Sequence, residues 1–335
     1  MPWATQTFLH LSNKFNNIKY CSRLGPCRTL FFGLMIGLTI VNGCATSPTQ
    51  KWHRTLEEVP AKYELNTVPF FPQEAYQCGP ASLAMALGWS GLYIHPDTLT
   101  PQVYTASLKG SLQPALTAAA RRHGRVAYPI AGAEALLKEV AAGHPVIILQ
   151  NLGLSWIPVW HYAVVIGYDL DKAEIILHSG ITSQKTTALK TFENTWARSQ
   201  HWGLVVLPPS RLPATAEEHA YVRAVVGLEK TRQWTAAVEA YQTAIARWPQ
   251  SLAAHIGLSN SYYRQGDLHS ARRVLQKTTI RFPEEAVAFN NLAQVLWEQG
   301  NKQEALKAAR QAVKLGGPLV EQYQETLDEI QADEP

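Results

Sequence analysis

Apolar positions along the chain follow three successive regimes. The first is an unbroken run, Leu30-Phe-Phe-Gly-Leu-Met-Ile-Gly-Leu-Thr-Ile-Val41. From Thr46 to about Leu65 the chain turns polar, opening with Ser47-Pro48-Thr49-Gln50, and this stretch, with Cys44 at its head (residues 44–65), reads as a tether. Residues 66–209 then mix short apolar runs with helical patterns. Val68-Pro-Phe-Phe-Pro-Gln73 holds two prolines and predicts extended chain. Ala81 to Leu87 are helix formers broken only by Ser82, and largely apolar, so a buried helix is predicted between Pro80, suited to a first turn, and Gly88, suited to an end. Pro145-Val-Ile-Ile-Leu-Gln150 and the apolar run ending at Gly167 predict core strands, with Glu174 to His178 as a further strand after a turn at 167–172. Pro208, Pro209 and Pro213 mark a boundary, and from about 216 onwards the pattern is helical only.

The helical part repeats. Pro249 and Pro283 lie 34 apart, as do Gly266 and Gly300, and Ala237, Ala271 and Ala305 follow the same period of 34. Each unit reads as two amphipathic helices closed by a Pro-containing turn. With Gly266-Asp-Leu-His-Ser-Ala271, then Leu275 and Phe282-Pro283, the pattern resembles tetratricopeptide repeats, whose small residues let helices approach closely. About three units fit residues 216–318, and 319–335 remain as a C-terminal helix or tail. The first unit is the most degenerate, with Arg232 where a Gly is expected. The resemblance implies a protein partner or peptide segment bound by the repeats.

Composition refines this picture through the location of charge. The 335 residues are 46% hydrophobic and 17% charged, a globular balance long enough for two domains. The net charge of +4 comes from residues 1–43, which hold Lys14, Lys19, Arg23 and Arg28 and no acid; the rest balances at 26 of each sign. Nucleic-acid binding is thereby excluded as an expectation. A basic segment, a twelve-residue apolar run and small residues before Cys44 form the three parts of a secretory signal. The run is shorter than the roughly 20 residues a spanning helix needs. Val41-Asn-Gly-Cys44 resembles the lipobox of bacterial lipoproteins, with Val and Asn42 as departures. The resemblance implies cleavage before Cys44, acylation of Cys44 and attachment to a membrane. Ala45 after it implies the periplasmic face of the outer membrane.

Cysteine usage now bears on chemistry. Of four cysteines, Cys21 and Cys27 fall in the signal and Cys44 is the acylation site, which leaves Cys78 as the one thiol without an assigned fate. No metal or nucleotide motif stands out, and no cofactor is expected. Cys78 sits just before Gly79-Pro80, at the mouth of the predicted buried helix. Unpaired N–H groups and the helix dipole there are expected to lower its pKa and to offer donors for an oxyanion. A cysteine nucleophile needs a base. His161 stands where a loop holding Trp156 and Trp160 enters a core strand, and is the candidate.

Gln73, Cys78-Gly79-Pro80-Ala81-Ser82 and His161-Tyr-Ala-Val-Val-Ile-Gly167-Tyr168-Asp169 together resemble the papain-superfamily peptidases that process double-glycine leaders of bacteriocins, above all their stand-alone relatives. The resemblance covers 66–207. It implies an α+β papain-like cysteine peptidase domain followed by an all-α tetratricopeptide-repeat solenoid. It also implies a polypeptide substrate, Cys78 as nucleophile, His161 as base and Gln73 as oxyanion donor, with Gln77 as rival. Family members place an Asp on the strand after the His. Here that region reads Ile175-Ile-Leu177-His178-Ser179-Gly180, without a carboxylate, and His178 is the nearest positional equivalent. Three readings stay open: a thiol peptidase of the cell envelope, an amidase acting on cell-wall peptides, and a lipid-anchored adaptor with a degenerate peptidase domain.

Overall fold

The computed structural model describes Trp52 and residues 59–73 and 77–332; the apolar run at 30–41, the signal at 1–43, Cys44 and much of the stretch read as a tether lie outside them. An antiparallel sheet organises the first half. Its strands are β1 (Lys62–Glu64), β4 (Val126–Ala131), β5 (Val146–Asn151), β6 (Trp160–Asp169), β7 (Glu174–Ser179), β8 (Thr182–Ala188) and β9 (Trp202–Leu207). They lie in the order β4-β9-β5-β6-β7-β8, with β1 paired to the far half of β6. A separate small hairpin joins β2 (Tyr104–Thr105) and β3 (Gly110–Ser111).

Both faces of the sheet are covered, which is why its central strands read as unbroken apolar runs. Side-chain alternation still sorts them. Ile147, Tyr162, Val164, Ile166 and Ile176 pack beneath helices α1 (Cys78–Trp89), α2 (Pro96–Val103) and α3 (Gln113–Arg122). Val146, Ile148, Ala163, Val165, Ile175 and Leu177 face the other way, toward α4 (Ala133–Ala141) and α5 (Leu189–Ala197).

The predicted buried helix is α1, and it runs one residue past Gly88. Gly88 is not a stop. A Cβ there would come within 2.6 Å of the Pro69 ring, so glycine is needed where the extended entry segment crosses the helix. Ser90 supplies the end, its hydroxyl donating to the Leu87 carbonyl at 2.7 Å.

Beyond the sheet stand α6 (Glu218–Lys230), α7 (Trp234–Arg247), α8 (Leu252–Arg264), α9 (Leu268–Arg281), α10 (Ala286–Glu298), α11 (Lys302–Leu315) and α12 (Val320–Ala332). These are three helix pairs and a closing helix. Gly266 and Gly300 turn between paired helices with φ of 81° and 76°, and Arg232 takes the same left-handed place at 59°. The degenerate first unit thus keeps the turn geometry without the residue that suits it.

Packing is continuous across the boundary at 208–216: one core cluster runs from Val126 and Tyr128 of β4 into Tyr221, Val225, Tyr241 and Ala254 of the repeats. Glu139, fully buried on α4, accepts from the Thr215 hydroxyl (2.6 Å) and N–H (2.8 Å), from the Ala214 N–H (3.1 Å) and from His144 Nδ1 (2.7 Å). Residues 47–335 form one compact unit. The stretch read as a tether also contributes to the fold: Trp52 is only 3% exposed and lies edge-on to Phe192, and β1 falls within it.

Candidate active site

Cys78 is the first residue of α1, preceded by Gln77, whose side chain makes no cap. Burial pushes the thiol above its ordinary 9.0, and backbone hydrogen bonds from Tyr162, Gly79 and Cys78 itself offset this only in part. The expected lowering at the helix mouth is therefore not the net result: the electrostatic benefit of the N–H groups is present, but desolvation exceeds it. Gly79 has no room for a side chain, since a Cβ there would meet the Ser111 hydroxyl at 2.4 Å.

His161 is the second residue of β6, opposite Gln150 on β5. Its Nε2 lies 2.9 Å from the Ser179 hydroxyl. Burial, then the charge of Lys185, holds the imidazole down at about 4. Both groups are consequently neutral at pH 7. Among the described residues no hydrogen bond joins Cys78 to His161, and Nδ1 has no hydrogen-bond partner. With Nε2–H donated to Ser179, Nδ1 carries the lone pair.

The side chain bonded to His161 is Ser179, not His178. Ser179 follows Leu177 by two residues and shares its side of the strand, the side on which His161 lies two residues before Ala163. His178 points with Ile176 to the opposite side. There its Nδ1 accepts from the Gln184 N–H at 3.2 Å, its Nε2 donates to the Val68 carbonyl at 3.2 Å, and its ring packs on Phe70. A ring so fully engaged holds the entry segment to the sheet and does not reach His161.

Gln73 works as a clasp. Its Oε1 accepts from the Gly180 N–H (3.0 Å), and its Nε2 donates to the Tyr162 carbonyl and the Ser82 hydroxyl, each at 3.3 Å. It thereby ties α1, β6 and the turn after β7 together. Serving an oxyanion requires giving up one of those two long bonds. Gln77 does not line the cavity; Gln73 does.

Gln73, Cys78, Ser111, His161 and Gly180 share one cavity of about 1180 Å³. Its exposed lining is mixed: Leu108, Leu112, Val159 and Trp160 are apolar, and Lys109, Arg198 and Gln200 are polar or charged. Trp160 lines the cavity, whereas Trp156 does not. Sequence reasoning missed Ser179, Ser111 and Lys185. Counting strand residues in twos from Ile175 would have found Ser179; nothing local marks Ser111, whose hydroxyl is buried without a partner. Among the described residues no three metal-capable side chains cluster.

An antiparallel sheet bearing a histidine, covered by a helix that begins with a cysteine, defines an α+β domain of the papain-like class. Residues 65–203 match the Peptidase_C39 like family, and residues 224–268 and 256–318 match the tetratricopeptide repeat. The chain is a C39-peptidase-like domain fused to tetratricopeptide repeats. No curated protein matches it. Among solved structures, one from Bacillus anthracis described as a C39-like peptidase is 21% identical with a TM-score of 0.37, covering 44% of this chain and 97% of that one. The peptidase domain of Streptococcus ComA, a bifunctional ABC transporter of a quorum-sensing pathway, is 20% identical with a TM-score of 0.35, covering 44% and 98%. A double-glycine-motif protease from an AMS/PCAT transporter, in complex with the leader peptide, is 19% identical with a TM-score of 0.33, covering 43% and 96%.

Proposed function

We propose that this chain is a cysteine peptidase held outside the cytoplasm by an acyl group on Cys44, at the periplasmic face of the outer membrane. The convergence of Cys78, His161 and Gln73 on one cavity carries the reading, and the family match over residues 65–203 supports a polypeptide substrate. Because both partners rest neutral, catalysis begins with proton transfer. His161 Nδ1 takes the thiol proton as Sγ bonds to the substrate carbonyl carbon. The carbonyl π electrons move to oxygen, where the Cys78 N–H and a released Gln73 hydrogen receive the charge. Collapse breaks the C–N bond and His161 returns its proton to the leaving amine. Water, deprotonated by His161, then cleaves the thioester. The repeats, sharing a core with the domain, would hold the substrate or a partner protein.

A second reading is favoured by one observation, the resting neutrality of the pair with Ser179 in place of a carboxylate. On it, the domain binds polypeptides without cleaving them. A covalent probe that presents a peptide carbonyl to Cys78, so that His161 must take the thiol proton during attack, separates the two. Labelling of Cys78 that is lost in His161→Ala, with the circular dichroism spectrum unchanged, supports the peptidase. Equal labelling of wild type and His161→Ala would overturn it, since His161 would then play no part in activating the thiol.

A further inference from the structure

The loop between β5 and β6 is apolar where water reaches it. Leu152, Leu154, Trp156, Ile157, Val159 and Trp160 are between 49% and 76% exposed, and residues 151–160 include no charged side chain. This loop is built, not slack. Asn151 Oδ1 accepts from the N–H groups of Gly153 (3.0 Å) and Val159 (2.9 Å), Leu154 and Ile157 pair through their backbones, and Arg198 donates to the Asn151 carbonyl at 3.0 Å. A braced loop that holds two tryptophans and several aliphatic side chains in water has the character of an interaction surface.

The path of the chain indicates which one. Trp52 is buried against Phe192 on α5. Just beyond the end of that helix, Arg198 and Ser199 bond the base of the loop, through the Asn151 and Leu149 carbonyls. The chain therefore enters the folded unit on the element that braces the loop. Cys44 precedes Trp52 by eight residues, a leash of at most about 29 Å. From Phe192 to Arg198 is a further distance of about 9 Å along a helix. An acyl group fixes distance from a bilayer but leaves orientation free, and an uncharged loop rich in Trp suits the interfacial layer.

We infer that the 152–160 loop inserts into the surface of the membrane that holds the acyl group of Cys44, so that the cavity beside it opens at that surface toward polypeptides displayed there. The inference rests on the acylation proposed above.

Residues 47–335, a compact unit with its own core, lack both the acyl site and the apolar run, so lipid binding by them reports on the folded surface, and the double variant below assigns it to the loop. They are floated with phosphatidylcholine vesicles on a density gradient. Wild type is expected to rise with the vesicles, and the double variant Trp156→Ser, Ile157→Ser to lose at least about tenfold in partitioning. Neither residue lines the cavity, so Cys78 labelling should be unchanged. Wild type that stays in the soluble fraction at all lipid concentrations overturns the inference, as does a double variant that floats equally well. So does light scattering that shows a dimer which the double variant dissolves, without flotation, because a second copy would then cover the loop. Mass spectrometry of the Cys44 peptide from the full chain reads acylation separately, which distinguishes a failed anchor from a failed loop.

Discussion

Replacing Ser179 by Asp tests whether a carboxylate beside His161 offsets the burial that keeps the Cys78–His161 pair neutral. The Ser179 hydroxyl lies 2.9 Å from His161 Nε2 and bears no charge, and the imidazole sits at about 4. A carboxylate about 4 Å from the imidazolium charge gains about 4 kcal/mol at an effective dielectric of 20. Burying the new carboxylate consumes part of this, so the His161 pKa should rise by about 1–3. The assay is the rate of iodoacetamide alkylation of Cys78 in residues 47–335, where it is the one thiol. With the thiol above 9.0, the wild-type rate should climb about tenfold per pH unit from pH 6 to 8.5, without a plateau. Ser179→Asp should add a plateau on the acid side, from thiolate paired with imidazolium. A wild-type plateau below pH 7 would refute the neutral resting state. A Ser179→Asp profile identical to wild type would refute that offset.

Three further outcomes are expected. Because His161 titrates at about 4 folded against 6.5 unfolded, the unfolded chain takes up its proton first as pH falls. About 2–3 kcal/mol of stability should be lost between pH 6.5 and 4, a loss that His161→Gln removes in urea titrations. Glu139→Ala leaves His144, Ala214 and Thr215 without their acceptor and should cost about 3–5 kcal/mol by urea unfolding; a loss under 1 kcal/mol would show that the strap at 214–215 is held otherwise. Arg232→Gly relieves the left-handed turn at φ 59° and should add about 1 kcal/mol, raising the melting temperature by about 2 °C.

Much of this molecule was legible because its signals are local or periodic. Helix α1 is a run of small apolar residues behind Gly79-Pro80, and any layer of the fold that received it had to bury it. The 34-residue spacing of Gly266, Gly300 and the alanines defines the repeats without reference to their contacts. What stayed hidden depends on opposing terms or on pairing across distance. The sign of the Cys78 shift is a contest between desolvation and three N–H groups, and a sequence displays only the latter. Ser179 was obscured by its neighbour, because His178 has the more suggestive chemistry but the wrong strand parity. The shared core was hidden because the sheet's apolar residues look the same whether a helix of the domain or a repeat covers them.

That shared core bears on how the two halves can be parted. A chain cut at Pro209 would bare Val126, Tyr128 and Ile130 on one fragment and Tyr221 and Val225 on the other, while Glu139 would lose the donors at 214 and 215. The repeats are therefore not an exchangeable cassette. Because α6 lies directly on β4, the repeats complete the packing of the same sheet that carries His161. Heat or denaturant should melt both halves in a single transition, and transplanting this domain onto another recruiter would have to carry α6 and α7 along with it.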